Sequence, residues 1–356
     1  MKRDAGHLHA ASRRRIGADA PRRSTRRSLL VALGAGALTV PLALPFSSMA
    51  QQAGKVWRIG YLDLGSRQSM VDSGRRDALM QGLGGLGYVE GKHFVLEERF
   101  AEGNTDRLND FATELVRQKV DLILTFGALS SHTAKRASAT IPIIVTVTSD
   151  PVVDGLVASL ARPGGNVTGM SNGVEDTVQK VVELLTIAVP KLKRIAVLTN
   201  PSNSSHVPIL SLLQAAATQT SKQVFPMTVR TPDELKLDFA AMASERTDAV
   251  IFLPDAFLLQ MRTQIAALAL KHRLPSIYPT PQYAEVGGLM SYGGELSDNY
   301  RRAGIFVDKI LKGAKPGELL IEQPTRYYLV INRKTATALN LNISQELLLR
   351  TDEVIE

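Results

Sequence analysis

The chain contains no cysteine among its 356 residues. This absence excludes disulfides, thiolate metal sites and cysteine nucleophiles, and with them a lipid anchor attached through an N-terminal cysteine. Histidine is scarce as well, and the six histidines show no metal-ligand spacing. We therefore expect no metal and no cofactor.

Motifs that hold nucleotides are also missing where they would be needed. The turn after the first predicted strand, GYLDLGS, lacks the GxGxxG pattern that holds a dinucleotide pyrophosphate, and the chain has no GxxxxGK[ST] phosphate loop. Glu295 and Asp298 stand at a predicted helix start, where an acidic pair is more typical of a cap than of a catalytic dyad. A hydrolase would require a serine in a GxSxG nucleophile elbow, and we expect none. These absences predict a protein that is not an enzyme.

The basic charge is confined to one end of the chain. The formal net charge is +8, but residues 1–50 contain nine Lys or Arg residues and only two acids, which leaves +1 for the remainder. Such a balance offers no electrostatic footprint for nucleic acid or for an anionic membrane surface.

The first fifty residues are typical of a targeting segment. Arg26-Arg27 precede an apolar run and a small-residue cleavage site at Ser48-Met49-Ala50, as in a twin-arginine export signal. Pro41 and Pro45 interrupt that run, which makes a membrane span unfavourable. We expect cleavage near Ala50 and a periplasmic mature protein; an uncleaved anchor and the general export pathway are the alternatives.

From Lys55 onward, short buried-strand patterns alternate with amphipathic helical patterns, which indicates an α/β fold with parallel sheets. A length of 356 residues favours two lobes over one core. Ligands of open parallel sheets bind beyond the carboxyl ends of the strands. Six predicted strand exits are polar, although each could also be a simple turn or helix cap: Leu62-Asp63, Gly127–Ser131, Thr148–Asp150, Asn200–Ser205, Asp255 and Thr280.

Several long segments in order resemble one family. They are GYVEGKHFVLEERFAEGNTDRL, SDPVVDGLVASLARPGGNVTG, LKRIAVLTNPSN, HRLPSIYPTPQYAEVGGLMSYG and RAGIFVDKILKGAKPGELLIEQPTRYYLVINRKTATALNL. From about Trp57 to the C-terminus, the chain resembles the ABC-transporter substrate-binding proteins of the tryptophan-receptor-like family.

The resemblance implies a type I periplasmic binding protein, in which two similar Rossmann-like or flavodoxin-like lobes, joined by three chain crossings, close on a small solute. It places residues 55–169 and 288–321 in the N-terminal lobe and residues 170–287 and 322–356 in the C-terminal lobe. In this fold, Asp150-Pro151 would end a strand at the cleft and a helix would cover Val153–Ala161. The segment RPGGN would lead into the first crossing, where glycines allow the backbone rotations that a hinge requires.

Helix N-termini at the cleft would bind an anionic group such as a carboxylate, with Gly127, Ala128, Ser130 and Ser131 as the best candidates and Asn200 and Ser204 opposite them. Asp150 and Asp255 are the candidates to pair with an ammonium group. Aromatic walls would come from Tyr61, Phe126, Phe257, Tyr278 and Tyr292, any of which could equally be core. The full set of candidate ligand-binding residues is Tyr61, Asp63, Gly127, Ala128, Ser130, Ser131, Thr148, Asp150, Asn200, Ser204, Asp255, Thr280 and Tyr292.

The favoured function is an exported receptor that captures a small solute, such as an amino acid or an aromatic compound, and delivers it to an ABC permease with its ATPase subunit. A periplasmic sensor that presents the bound solute to a signalling partner is the alternative, and a hydrolase on the same layers is a third. We expect a monomer.

Overall fold

The structure is a computed structural model, and it describes residues 55–356. The predicted export segment, with Arg26-Arg27 and the Ala50 site, lies outside the described residues. No helix of residues 55–356 is long and apolar enough to cross a membrane.

The first lobe is built on a five-stranded parallel sheet with the strand order β2-β1-β3-β4-β5. Strands β3 and β4 are buried along their whole length, as expected of a parallel sheet covered by helices on both faces. The elements are β1 (Trp57–Asp63), α1 (Arg67–Asp72), α2 (Arg75–Gly84), β2 (Phe94–Phe100), α3 (Thr105–Arg117), β3 (Leu122–Phe126), α4 (Gly127–Ala137), β4 (Ile143–Val147) and β5 (Val167–Gly169).

The second lobe is built on a seven-stranded sheet with the order β12-β11-β10-β9-β8-β6-β7, in which only the pair β10 and β11 is antiparallel. Its elements are α5 (Val174–Ala188), β6 (Arg194–Thr199), α6 (His206–Gln219), β7 (Gln223–Thr228), α7 (Pro232–Ser244), β8 (Ala249–Phe252), α8 (Ala256–Gln260), α9 (Arg262–Lys271), β9 (Ser276–Tyr278), α10 (Pro281–Glu285), β10 (Met290–Gly293), β11 (Tyr328–Asn332), α12 (Arg333–Ala338), α13 (Gln345–Leu349) and β12 (Glu353–Ile355).

The helix α11 (Leu296–Leu311) returns the chain to the first lobe, where it packs against α2. The two helices approach through glycines: a Cβ on Gly82 would lie 2.2 Å from the Arg301 carbonyl oxygen, and one on Gly304 would lie 2.8 Å from the Gly82 carbonyl carbon. Only glycine permits so close a contact between two backbones.

Three chain segments cross between the lobes: β5 to α5, β10 to α11, and the segment before β11. The first and third lie side by side, because Met170 and Glu322 form an isolated parallel bridge. Strand β10 pairs with β9 and β11, so residues 290–293 belong to the second sheet. The sequence-based prediction had assigned residues 288–321 to the first lobe. The second crossing therefore begins after Gly293.

The helix predicted over Val153–Ala161 is absent; a turn that ends at Gly155 is followed by bends and irregular backbone. The Asp150 carboxylate accepts hydrogen bonds from the backbone amides of Val152 and Val153 (2.8 and 3.0 Å), and the Pro151 carbonyl accepts two more from Leu156 and Val157. Gly155 then adopts a φ of 70°, which a continuing right-handed helix does not allow.

Candidate functional site

A cavity with an empty volume of about 650 Å³ lies between the two lobes, at the carboxyl ends of their strands. Seven of the thirteen candidate ligand-binding residues line it, and they come from both lobes: Gly127, Ala128, Ser130, Thr148, Asn200, Asp255 and Thr280. The structure thus gathers residues that lie up to about 150 positions apart in the sequence, as the strand-exit argument requires.

The N-terminus of α4 forms the wall that the first lobe contributes. Gly127 starts this helix directly after β3 with a φ of 82°, and a Cβ placed on it would lie 3.8 Å from the Ala256 Cβ of the second lobe. Ser130 is fully buried, and its hydroxyl accepts a hydrogen bond from the Leu64 amide (3.2 Å). The predicted residue Ser131 does not line the cavity, because its hydroxyl donates to the Gly127 carbonyl (2.7 Å).

Asp255 is the acidic group of the cavity wall, and a set of donors fixes its carboxylate. It accepts hydrogen bonds from the side-chain amides of Asn200 (3.2 and 3.3 Å) and Asn203 (2.9 Å) and from the Leu258 backbone amide (3.0 Å). The last contact makes Asp255 the N-cap of α8. Burial lowers the pKa of the neighbouring His206. Its neutral ring accepts a hydrogen bond at Nδ1 from the Asn200 backbone amide and donates one from Nε2 to the Pro254 carbonyl.

Two polar groups of the cavity wall have no hydrogen-bond partner within the described residues. They are the Thr280 hydroxyl and the Tyr283 hydroxyl, whose residues are 7 % and 1 % exposed. Buried hydroxyls are normally paired, so these two are available to a bound molecule. Tyr283 was not among the predicted residues, because its helix α10 begins three residues after a strand and gives only a short apolar pattern.

A bridge between the lobes lies beside the cavity. The Asp154 carboxylate, in the first lobe, accepts hydrogen bonds from the hydroxyls of Ser205 (2.7 Å) and Ser204 (3.4 Å) in the second lobe. Thr148 donates to the same carboxylate at 3.4 Å. Ser204 was predicted to contact the ligand, but the structure gives its hydroxyl to this bridge. These hydrogen bonds join the two lobes directly beside the cavity.

A second contact between the lobes pairs two acids. Asp150 of the first lobe lies against Glu175, in the first turn of α5. The hydrogen bond to Asp150, burial and the adjacent negative charge raise the pKa of Glu175 to about 7. Burial opposes charge on Asp150, but the hydrogen bonds from Glu175, Val153 and Val152 lower its pKa. Asp150 does not line the cavity, so the structure separates it from Asp255.

Tyr61 and Asp63, also predicted at the site, are fully buried behind it. The Tyr61 hydroxyl lies 2.8 Å from that of Tyr300 and donates to Asp63 (3.1 Å), which also accepts from the Arg75 guanidinium (3.1 Å). The guanidinium carbon of Arg75 lies 4.1 Å from the ring centre of Phe126, and Phe126 lines the cavity. Phe126, one of the predicted aromatic wall residues, therefore forms part of the wall, whereas Tyr61, Asp63 and Arg75 support it from behind.

The remaining aromatic candidates are dispersed. Phe257 is core, and Tyr278 stacks between Phe252 and Tyr283, with both ring centres 4.6 Å away. Tyr292 lines a second cavity, inside the second lobe.

The expectation that the chain has no GxSxG segment is wrong, since Gly169-Met170-Ser171-Asn172-Gly173 matches it. This segment joins β5 to α5, as a nucleophile elbow would. However, Ser171 is 2 % exposed and its hydroxyl donates to the Ser149 carbonyl (2.6 Å). Among the described residues no histidine is hydrogen-bonded to it, so it lacks the base that activates a serine nucleophile. Residues 55–356 also contain no cluster of acids and histidines that could hold a metal ion.

The family model described as ABC transporter substrate binding protein matches residues 68–355. The chain belongs to this family. A curated relative, the tyrosine-binding protein of Clostridioides difficile strain R20291, is 25 % identical over 266 residues, which are 75 % of this chain and 76 % of the relative.

Solved structures of similar proteins have the same fold. The ABC domain of Streptococcus pneumoniae in complex with L-Trp is 25 % identical, with a TM-score of 0.78 over 85 % of this chain and 100 % of that one. A conserved domain protein of Vibrio cholerae is 26 % identical, with a TM-score of 0.78 over 84 % and 100 % of the two chains. The predicted resemblance and the type I periplasmic binding fold are thus confirmed. The family is one of solute-binding proteins of ABC transporters, and its function is binding of small ligands without catalysis.

Proposed function

We propose that the protein is an exported receptor that binds an amino acid between its lobes and delivers it to an ABC permease and ATPase. The observation that carries this proposal is the interlobe cavity, which combines a helix N-terminus, an anchored carboxylate and two unpartnered hydroxyls. An amino acid presents the complementary groups. The tyrosine-binding relative and the L-Trp complex support the same ligand class.

In this proposal the two charged ends of the ligand are recognised by opposite lobes. The ligand carboxylate lies at the N-terminus of α4, whose free amides and dipole favour an anion. The ammonium group faces Asp255. Because the two recognising groups come from different lobes, the ligand stabilises the closed arrangement and not the open one.

The ammonium contact is tested by calorimetry on the mature protein with L-phenylalanine and with 3-phenylpropanoate, which lacks the ammonium group. Asp255→Asn keeps the cap of α8 and removes the charge. We expect it to weaken L-phenylalanine binding about ten- to hundredfold and to leave 3-phenylpropanoate unaffected. Asp233→Asn, an exposed first-turn acid of α7, is the matched control and should change neither affinity.

Equal losses for both compounds would contradict the ammonium assignment. Failure of the wild-type protein to bind any amino acid would overturn the ligand class itself.

Export through the twin-arginine route is part of the proposal. N-terminal sequencing of the periplasmic fraction should find a mature chain that begins near Gln51, and replacing Arg26 and Arg27 by lysine should block export. A cytoplasmic chain that retains Met1 would contradict it.

A further inference from the structure

The ring of His206 joins two loops of the second lobe from a buried position. His206 is the first residue of α6 and is 2 % exposed. Its Nδ1 atom accepts a hydrogen bond from the Asn200 backbone amide (2.9 Å), and its Nε2 atom lies 3.1 Å from the Pro254 carbonyl oxygen. The backbone amide only donates and the carbonyl only accepts, so both contacts require a neutral ring with its proton on Nε2.

The ring bridges two strands beyond the end of their ladder. Strands β6 and β8 are parallel neighbours, and their last ladder pair is Leu198 and Phe252. Asn200 and Pro254 each lie two positions further along the chain, where the imidazole connects them. The ring thus determines how far apart the two chain segments stand as they leave the sheet.

The two bridged segments carry the polar groups of the cavity wall. The Asn200 side chain donates to the Asp255 carboxylate (3.2 and 3.3 Å), and Pro254 directly precedes Asp255. The Asn203 side chain donates to both the Pro254 carbonyl (3.3 Å) and Asp255 (2.9 Å). These four residues line the interlobe cavity, whereas His206 does not. The ring therefore lies behind the wall and contacts the backbone of both loops that form it.

We infer that His206 is a positioning residue for the ligand: its neutral ring fixes the spacing of the loops after β6 and β8 and thereby holds the Asp255 carboxylate in place for an ammonium group. The inference rests on the proposed function, of which the ammonium contact is a part. A protonated ring would lose its contact with the Asn200 amide and would repel the ammonium group. Burial lowers the pKa of His206, although Asp255, the Pro254 carbonyl and Asp154 oppose this shift.

Two ligands distinguish positioning from general stability. L-Phenylalanine has an ammonium group and 3-phenylpropanoate has none, and calorimetry compares them at about pH 7.5, above the usual pKa of histidine. His206→Ala removes both ring contacts. We expect it to weaken L-phenylalanine binding about tenfold or more and 3-phenylpropanoate binding less than about threefold, because the loss acts through Asp255. His206→Asn keeps a side-chain acceptor near the position of Nδ1 and should give an intermediate loss for L-phenylalanine.

His272→Ala is the matched control. His272 is a half-buried histidine of the same lobe, its ring stacks on Phe239 with the ring centres 6.1 Å apart, and it does not line the cavity. This change should leave both affinities as they are. Circular dichroism shows whether each variant is folded, and if His206→Ala is not, His206→Asn decides the test.

A double variant tests whether the effect passes through Asp255. When His206→Ala is added to Asp255→Asn, L-phenylalanine binding should weaken by less than about twofold further, because the charge that the ring positions is already gone. In NMR spectra of the imidazole nitrogens without ligand, the signal lost in His206→Asn should be that of a neutral ring with its proton on Nε2.

Three outcomes would overturn the inference and leave the proposed function intact: equal losses for the two compounds in the His206 variants, additive losses in the double variant, or a charged or Nδ1-protonated ring in the NMR spectra. The same selective loss in His272→Ala would also overturn it. If the wild type binds no amino acid, the proposed function fails, and the positioning role fails with it even where the NMR spectra show the expected ring.

Discussion

Asp154 shows how a single side chain can control the closed arrangement without touching the ligand cavity. Its carboxylate receives the Ser205 and Ser204 hydroxyls from the opposite lobe. Burial raises the pKa of Asp154, and the serine hydrogen bonds offset part of this effect. These hydrogen bonds form only when the lobes are together. They therefore stabilise the closed form in addition to the stabilisation that the bound ligand provides.

Removal of this contact should therefore weaken ligand binding at a distance. We expect Asp154→Ala and Ser205→Ala each to weaken L-phenylalanine binding about three- to thirtyfold, mainly through faster dissociation. The double variant should bind no more weakly than Asp154→Ala alone, because the Ser205 hydrogen bond is already lost when the Asp154 carboxylate is removed. Stopped-flow dissociation rates measure the effect. Ser211→Ala, an exposed serine of α6, should bind normally, and strictly additive losses would argue against a shared contact.

At the scale of elements, the close packing of α2 and α11 determines how the chain returns to the first lobe. Gly82 and Gly304 bring the two helix backbones into contact, and Tyr300 of α11 then reaches Tyr61 and Phe126 behind the cavity. The wall of the site thus depends on a helix that follows the second sheet in the sequence.

Gly304→Ala should destabilise the first lobe, because the new Cβ would lie 2.8 Å from backbone atoms that cannot rotate away. We expect a loss of about 1 to 3 kcal/mol in the free energy of unfolding, measured in urea. Gly84→Ala is the control within α2, since a Cβ there meets no atom within 4 Å. It should be neutral or stabilise by up to about 1 kcal/mol, so equal losses for the two variants would exclude helix contact as the cause.

At the scale of the whole molecule, closure brings Asp150 and Glu175 together across the cleft. The hydrogen bond to Asp150 is the largest cause that raises the pKa of Glu175 to about 7 in this arrangement. We expect this pKa to fall when the lobes separate, because that contact is then lost. A carboxyl group whose pKa is higher in the closed form than in the open form binds a proton when the lobes close. Its stabilisation of the closed form is therefore complete at a pH below the open-form pKa. This stabilisation is lost as the pH rises through the closed-form pKa. Burial lowers the pKa of His132 and of His206 below the usual value for histidine, so both rings are neutral at about pH 7 and above.

Ligand affinity should accordingly fall by severalfold, up to about tenfold, as the pH rises from about 5 to about 8. Glu175→Gln should remove most of this pH dependence, because the amide keeps the hydrogen bond to Asp150 without adding a charge. At about pH 8 the variant should therefore bind as tightly as the wild type binds at about pH 5. Glu183→Gln serves as the control on the same helix: the hydrogen bond from Lys180 already lowers the pKa of Glu183. Calorimetry of L-phenylalanine across the pH range provides the measurement, and a slope that persists in Glu175→Gln would assign it to other groups.

The sequence by itself determined the α/β class, the two lobes and the polar strand exits. Hydrophobic periodicity and turn residues depend on the environment of a single segment, so the sequence of that segment predicts its structure. Parallel strands then place all their carboxyl ends at the same edge of the sheet. Gly127, Thr148, Asn200, Asp255 and Thr280 line the cavity for that reason.

Only the tertiary structure decided which polar residues face the cavity and which have partners elsewhere. Asp63 stands at a strand exit like the others, but it is enclosed by Tyr61 of the same strand and by Arg75. Tyr61 in turn contacts Tyr300, 239 positions away in the sequence. Ser204 contacts Asp154, and Asp150 contacts Glu175, each in the other lobe. Periodicity carries no information on such partners, because they depend on how helices and lobes pack over long sequence separations.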